Sequence, residues 1–332
     1  MESIQLHKKW GLILLVLVIT TLLAACGNEG ASSEDTSSES TNADDSGEET
    51  NTLEIEHAMG MTTIEGTPEK VVTLYQGAND AITAFEVEPV GIVESWVEKP
   101  IYKYLRDDLE GTTLVGEETQ PNLEEIAKLN PDVIFASKLR HEEIYEKLNK
   151  IAPTIAIDQV YDFKGTVDLM GQTLNKEDKA EEIMTNWDNR IEDFKAKASE
   201  KLGEDWPLNV SILNFRSDHA RIYFDSFAGS ILKEAGFTRP ENQQSDEWGM
   251  KLTDKESISE MNADVFYIFM SDEPAIKDNF EEWTNHPLWK NLDAVKNDEV
   301  HMVDEVTWNM AGGIRAANLM LDDLYKRFDL EK

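Results

Sequence analysis

The chain is predicted to fold as two α/β lobes. Three observations point there. Short apolar, β-branched runs alternate with amphipathic helical stripes, the pattern of parallel sheets covered by helices. A long helical stretch, from Asp162 to about Lys201, separates two such series. The segment from Thr52 to about Phe328 is also long for one compact domain and suits two lobes.

The first series has candidate strands at Val71–Tyr75, Val90–Val93, Val133–Ala136 and Thr154–Ile157. Between them, Asn122–Asn130 puts Leu123, Ile126 and Ala127 on one helical face, and Pro131 ends it. His141–Lys150 repeats that pattern with Ile144 and Leu148. The connecting stretch carries two stripes. One is Phe163, Val167, Met170 and Leu174, and the other is Ile183, Trp187, Ile191 and Phe194, with Asn175 as a break or cap between them. The second series has strands at Val210–Phe215, Ile222–Phe224, Val265–Met270 and Val300–Val303. The last helix sets Ile314, Ala317, Leu321, Leu324 and Phe328 at spacings of three and four, a clear amphipathic face.

Ahead of the lobes stands an address. Lys8 and Lys9 precede an apolar run, LILLVLVITTLLAAC, that ends in Leu23-Ala24-Ala25-Cys26. A basic start, a short apolar core and a small-residue cleavage site make a secretory signal over residues 1–25. Cys26, the one cysteine in the chain, would become the new N-terminus in the pattern of a bacterial lipoprotein, and is expected to carry the lipid anchor. The expected location is the outer face of the cell membrane. Residues 26–51 then form an acidic tether with eight acids and no Lys or Arg, unable to bury enough surface to fold. The lobes are expected at 52–160 and 177–330.

The whole chain carries a net charge of −35; setting aside the signal's one net positive charge and the eight acids of the tether leaves −28 on the lobes. Such a body does not suit nucleic acid or broad contact with anionic lipid. No G-x-S-x-G and no H-E-x-x-H is present, so nothing marks an enzyme. No cysteine remains for disulfides or thiolate metal sites.

Five phrases carry a resemblance: TPEKVVTL from Thr67, PNLEEIAKLNPDVI from Pro121, FAGSILKEAGF from Phe227, PLWKNLDAVKN from Pro287 and WNMAGGIRAAN from Trp308. Together they resemble the iron–siderophore substrate-binding lipoproteins of Gram-positive ABC importers, across residues 52–328. The resemblance is strongest to the branch that takes citrate-hydroxamate siderophores. It implies the class III periplasmic-binding fold: two Rossmann-like lobes joined by a single long crossover helix, placed here at 161–176. It also implies that a ferric siderophore sits between the lobes. The loaded protein, acting as a monomer, would dock on permease subunits driven by a cytoplasmic ATPase. No resident metal or cofactor is implied, because six oxygens of the chelator satisfy the iron.

Recognition of such a chelate asks for arginine forks and flat aromatic surface on loops after strands. Arg140, Arg216 and Tyr223 meet that requirement, and Arg221 and Arg239 are weaker candidates. Trp96, Trp248 and Trp308 stand on polar loops, where an indole must pack on a ligand or on the protein. Arg315 stands one turn into the last helix beside Gly312 and Gly313, which leave room for a ligand, and the helix start offers N–H groups to an anion. The resemblance places a permease contact at Glu124. Its partner on the second lobe falls at Ser230, which is no acid, so Glu234 is taken in its stead.

Two other ligands are compatible with this reading. Haem or cobalamin would use the same fold, with His219 and Tyr223 as available haem ligands. A bare metal ion would need converging ligands, whereas His57, His141, His219, His286 and His301 are scattered without motif spacing. The address makes a direct prediction. Cys26→Ala should abolish lipid attachment, sending the protein to the medium or leaving the precursor uncleaved. Metabolic acyl labelling and cell fractionation check this, and a membrane-bound, acylated Ala variant would refute it.

Overall fold

The computed structural model describes residues 52–332, in which two sheets each gather their helices. Cys26, the signal at 1–25 and the tether at 26–51 lie outside the described residues. Among the described residues no helix is long and apolar enough to cross a membrane.

A hairpin of β1 (Thr52–His57) and β2 (Gly60–Glu65) precedes the first sheet. That sheet holds β3 (Val71–Thr73), β4 (Gly91–Glu94), β5 (Thr113–Glu117), β6 (Gln120–Pro121), β7 (Val133–Ser137) and β8 (Thr154–Ile157), in the order β6-β5-β4-β3-β7-β8. It is parallel except for β6. Its helices are α1 (Gln76–Ala84), α2 (Leu123–Leu129), α3 (Lys138–His141) and α4 (Tyr145–Leu148). The helix expected over His141–Lys150 is therefore interrupted: a 3-10 turn at Glu142–Ile144 parts α3 from α4.

The connector is α5 (Phe163–Thr173) followed by α6 (Glu177–Leu202), packed on each other, with Asn175 left-handed (φ 54°) between them. The stretch 161–176 thus contains the shorter helix. The long helix, of 26 residues, begins at Glu177, where the sequence reading starts the second lobe. Trp187, Ile191, Phe194 and Ala198 form its buried stripe.

The second sheet holds β9 (Val210–Phe215), β10 (Ala220–Tyr223), β11 (Gly249–Leu252), β12 (Val265–Phe269) and β13 (Val300–Met302), in the order β11-β10-β9-β12-β13. Strands β9, β12 and β13 are parallel, and β10 and β11 run antiparallel. Helices α7 (Phe227–Glu234), α8 (Pro274–Thr284), α9 (Asp293–Lys296) and α10 (Ile314–Arg327) complete the lobe.

Strand alternation decides which core each residue enters. Val71, Val133, Phe135, Val210, Ile212, Val265 and Tyr267 turn toward one shared core that also takes the buried faces of α5, α6 and α10. Their neighbours Val72, Ile134 and Ala136 fill a separate core under the first sheet, and Leu213, Phe215, Phe266 and Ile268 one under the second. The inner faces of both sheets are thereby bonded through the helices between them.

The last helix returns to the first lobe and packs on α1. Asp80 of α1, fully buried, accepts from the backbone N–H of Arg315 (2.7 Å) and of Ala316 (2.9 Å) and from the Tyr104 hydroxyl (2.6 Å). It caps a helix from outside that helix's own sequence. Gly313 makes the approach possible, since a Cβ there would lie 2.3 Å from the Asp80 carboxylate. Arg315 adds bonds from its guanidinium to Thr83 and Asp108.

Asp80→Ala strands two buried N–H groups and a hydroxyl, and should cost about 2 kcal/mol at neutral pH in urea unfolding. Burial lifts the Asp80 carboxyl to about 6 against the pull of its donors and of Arg315. A carboxyl raised on folding contributes stability that is fully present below its unfolded value, about 4, and is lost as pH rises through about 6. The cost of Asp80→Ala should therefore be larger at pH 4 than at pH 7. The opposite slope would show that the charged cap outweighs its burial.

Candidate functional site

A cavity of about 550 Å³ opens between the lobes, lined from the first by Gln76, Trp96, Glu118 and Arg140 and from the second by Arg216, Tyr223, Trp248 and Asn309. The lining follows from sheet direction. Trp96 comes just after β4, Arg140 after β7, Arg216 after β9 and Asn309 after β13, all beyond carboxyl ends of parallel strands. Gly77 and Gly312 form part of the floor, where a Cβ on Gly77 would meet the Gly312 carbonyl at 2.8 Å.

On the first lobe, Arg140 Nε donates to Glu118 Oε1 at 3.1 Å, and its guanidinium carbon stands 5.8 Å from the centre of the half-exposed Trp96 ring. Glu118 is buried, and burial pushes its carboxyl up against the donors that hold it. On the second lobe, Arg216 Nη2 lies 3.8 Å from Glu305 Oε1, too far for a hydrogen bond. Arg216 Nε and that Glu305 oxygen are both buried without a hydrogen-bond partner. Burial also pushes Glu305 up, opposed by Arg216. Tyr223 meets Trp248 edge-on at 5.8 Å, and Arg221 lies over the same indole at 5.8 Å. The cleft therefore offers two cations from opposite lobes, one already oriented and one loosely held, with aromatic walls.

Five of the seven siderophore candidates, Trp96, Arg140, Arg216, Tyr223 and Trp248, come together here. Two do not. Trp308 is 1% exposed, its indole N–H donates to Asp323 and its ring packs 4.7 Å from Tyr267. A π-helical turn over Val306–Met310 drives that ring inward and brings its neighbours Asn309 and Met310 to the cavity. Arg315 points to Thr83 and Asp108, and the anion at the start of α10 is the protein's own Asp80. Arg239 lines a separate recess of about 290 Å³ beside α7.

Glu124 is exposed in the first turn of α2, a helix capped by the Asn122 side chain, and does not line the cavity. Glu234 pairs with Lys164 of α5, so its charge is engaged within the protein. The histidines named as metal or haem ligands have structural partners instead. His141 bonds Ser137 and Glu118, His219 bonds Asp218 and Arg221, and His57 bonds Thr62. Among the described residues no three His, Cys, Asp or Glu side chains gather as a metal site. Sequence reasoning missed Glu118, Tyr161, Asp225 and Asn309. Position after a strand could have flagged Asn309, which adjoins the chosen Trp308; nothing separates Glu118 from the other acids.

Known proteins resemble this chain in sequence and fold. The achromobactin-binding periplasmic protein of Dickeya dadantii is 45% identical, over 77% of this chain and 85% of its own. The probable siderophore-binding lipoprotein YfiY of Bacillus subtilis is 39% identical, over 97% of this chain and 99% of its own. Staphylococcus aureus SirA, solved in complex with staphyloferrin B, is 46% identical and superposes with a TM-score of 0.81 over 84% of this chain and 99% of that one. The periplasmic binding protein family matches residues 71–307, and with the two sheets, the helical connector and the cleft between them, the chain is a member of that family.

Proposed function

We propose that this chain captures a ferric siderophore, of the carboxylate-bearing, citrate-based kind, and delivers it to an ABC importer from the outer face of the membrane, held there by a lipid on Cys26. The observation that carries this reading is the pair of arginines facing one cavity from opposite lobes, walled by Trp96, Tyr223 and Trp248. A ferric chelate of this kind presents carboxylate and hydroxyl oxygens around an iron that needs no protein ligand. Guanidinium forks match those oxygens, and the indole and phenol faces cover its apolar parts. SirA, similar in sequence and overall fold and solved with staphyloferrin B, supports the same use of this cleft.

Tryptophan-quenching titrations against ferric staphyloferrin B, a ferric citrate-hydroxamate and a ferric tricatecholate test the assignment. The carboxylate-bearing chelates should bind more tightly than the tricatecholate. Arg140→Ala and Arg216→Ala should each weaken them by about ten- to a hundred-fold, the loss of a charged hydrogen bond from a desolvated site. Unchanged affinity in both variants would remove the arginines from recognition, and preference for the tricatecholate would overturn the ligand class.

Delivery is separable from capture. Glu124 is exposed and outside the cavity, so Glu124→Ala should leave chelate affinity intact yet slow iron uptake in cells, because a rim charge aligns docking without touching cargo. Radiolabelled uptake at matched protein levels checks this. Normal uptake would remove Glu124 from the docking surface.

A further inference from the structure

Glu118 occupies the two-residue turn between β5 and β6 and is 2% exposed. Its carboxylate gathers donors from two separate segments. Oε2 accepts from the Gln76 backbone N–H that opens α1 (3.1 Å), and Oε1 accepts from Arg140 Nε (3.1 Å). The centre of the Trp96 ring stands 5.8 Å from the guanidinium carbon of that same Arg140. The Glu118 carbonyl is engaged as well. His141 Nε2 donates to it at 2.8 Å, a role fixed by His141 Nδ1, which accepts from the Ser137 N–H at 3.0 Å.

The geometry points to Glu118 as a positioning residue, whose ionised carboxylate presets Arg140 beside Trp96 as one wall before cargo arrives. Held by Nε, Arg140 keeps both terminal amino groups for a ligand, and the indole stands beside the guanidinium. The opposite lobe supplies the contrast, since Arg216 has no such bond to Glu305. Presetting removes part of the ordering cost of binding. This inference rests on the siderophore reading for the identity of the cargo, but the presetting itself belongs to the empty cleft.

Charge at this hub depends on few groups. Arg140 faces Glu118 from α3, His141 meets its carbonyl, and the phenols of Tyr75 and Tyr102 lie close enough to feel its charge. Burial pulls His141 down and pushes both phenols up, which keeps all three neutral at mild pH. Burial raises Glu118, so its proton returns at higher pH than an ordinary glutamate's. Protonation releases Arg140 Nε, and the wall loses its anchor.

Two measurements on Glu118→Gln test this. In the ligand-free protein, the ¹⁵N–¹H signals of the Trp96 indole and of Arg140 Nε, assigned through Trp96→Phe and Arg140→Lys, should shift together while other indole signals stay. Both should shift in the wild type on acidification. Unmoved signals would overturn the presetting. In quenching titrations with ferric staphyloferrin B from about pH 5 to 8, the wild type should lose affinity as pH falls, and Glu118→Gln should be weaker by about ten-fold at neutral pH and nearly flat. The double variant Glu118→Gln/Arg140→Ala should bind no more weakly than Arg140→Ala, because Glu118 acts through Arg140.

Additive losses would reduce Glu118 to a structural part. Affinity that rises on acidification would make it a competitor of the ligand, and an acid limb that persists in Glu118→Gln would belong to the chelate; each overturns the proposal. Should the wild type bind none of the ferric chelates, the functional reading fails, and the ligand-free signals alone decide whether Glu118 presets the wall.

Discussion

The buried carboxylate of Asp80 is the point on which the arrangement of the lobes turns. It joins the first helix to the last by taking two backbone N–H groups of α10, and a hydroxyl from Tyr104 completes its donors. The cleft floor lies beside it, where Gly77 and Gly312 bring α1 and the approach to α10 into backbone contact. Were α10 to stand away from α1, the shared core would open along Ile314, Ala317 and Leu321, and Asn309 and Met310 would leave the cavity they line. One desolvated charge, costly alone, is sustained because every donor around it would otherwise be unpaired.

The same economy recurs at the ligand face. The overall field of so acidic a chain repels anions. Against that field two guanidinium groups face the cleft, each beside a glutamate. The distances differ: the Arg140 pair is bonded, whereas the Arg216 pair is not. On the function proposed above, recognition divides between an arginine already oriented and one left without that bond.

Much of this was legible in the sequence because it rests on periodicity. The eight strands read from β-branched runs are all present near their expected bounds, and the stripes of α6 and α10 face the core. Helix α1 was not read, because Gln76, Asn79 and Asp80 are buried polar residues with local or long-range partners, which erases the apolar stripe. The hairpins β1–β2 and β5–β6 escaped because their burial is shallow. Strand-end logic found Arg140 and Arg216, but it cannot tell which way a loop side chain turns. Trp308 went inward on a π-helical turn, and Arg315 went to Asp108. Glu118 differs from dozens of other acids only in being buried, a property that exists after folding.

The return of α10 to α1 also sets an order of events along the chain. Two of the donors to Asp80 stand more than two hundred residues away, so the first lobe cannot finish its own interior until the start of α10 is available. Until then α1 holds an unmatched carboxylate, and the faces of α5 and α6 that α10 covers stay wet. The first lobe of such a chain matures only once α10 is in place.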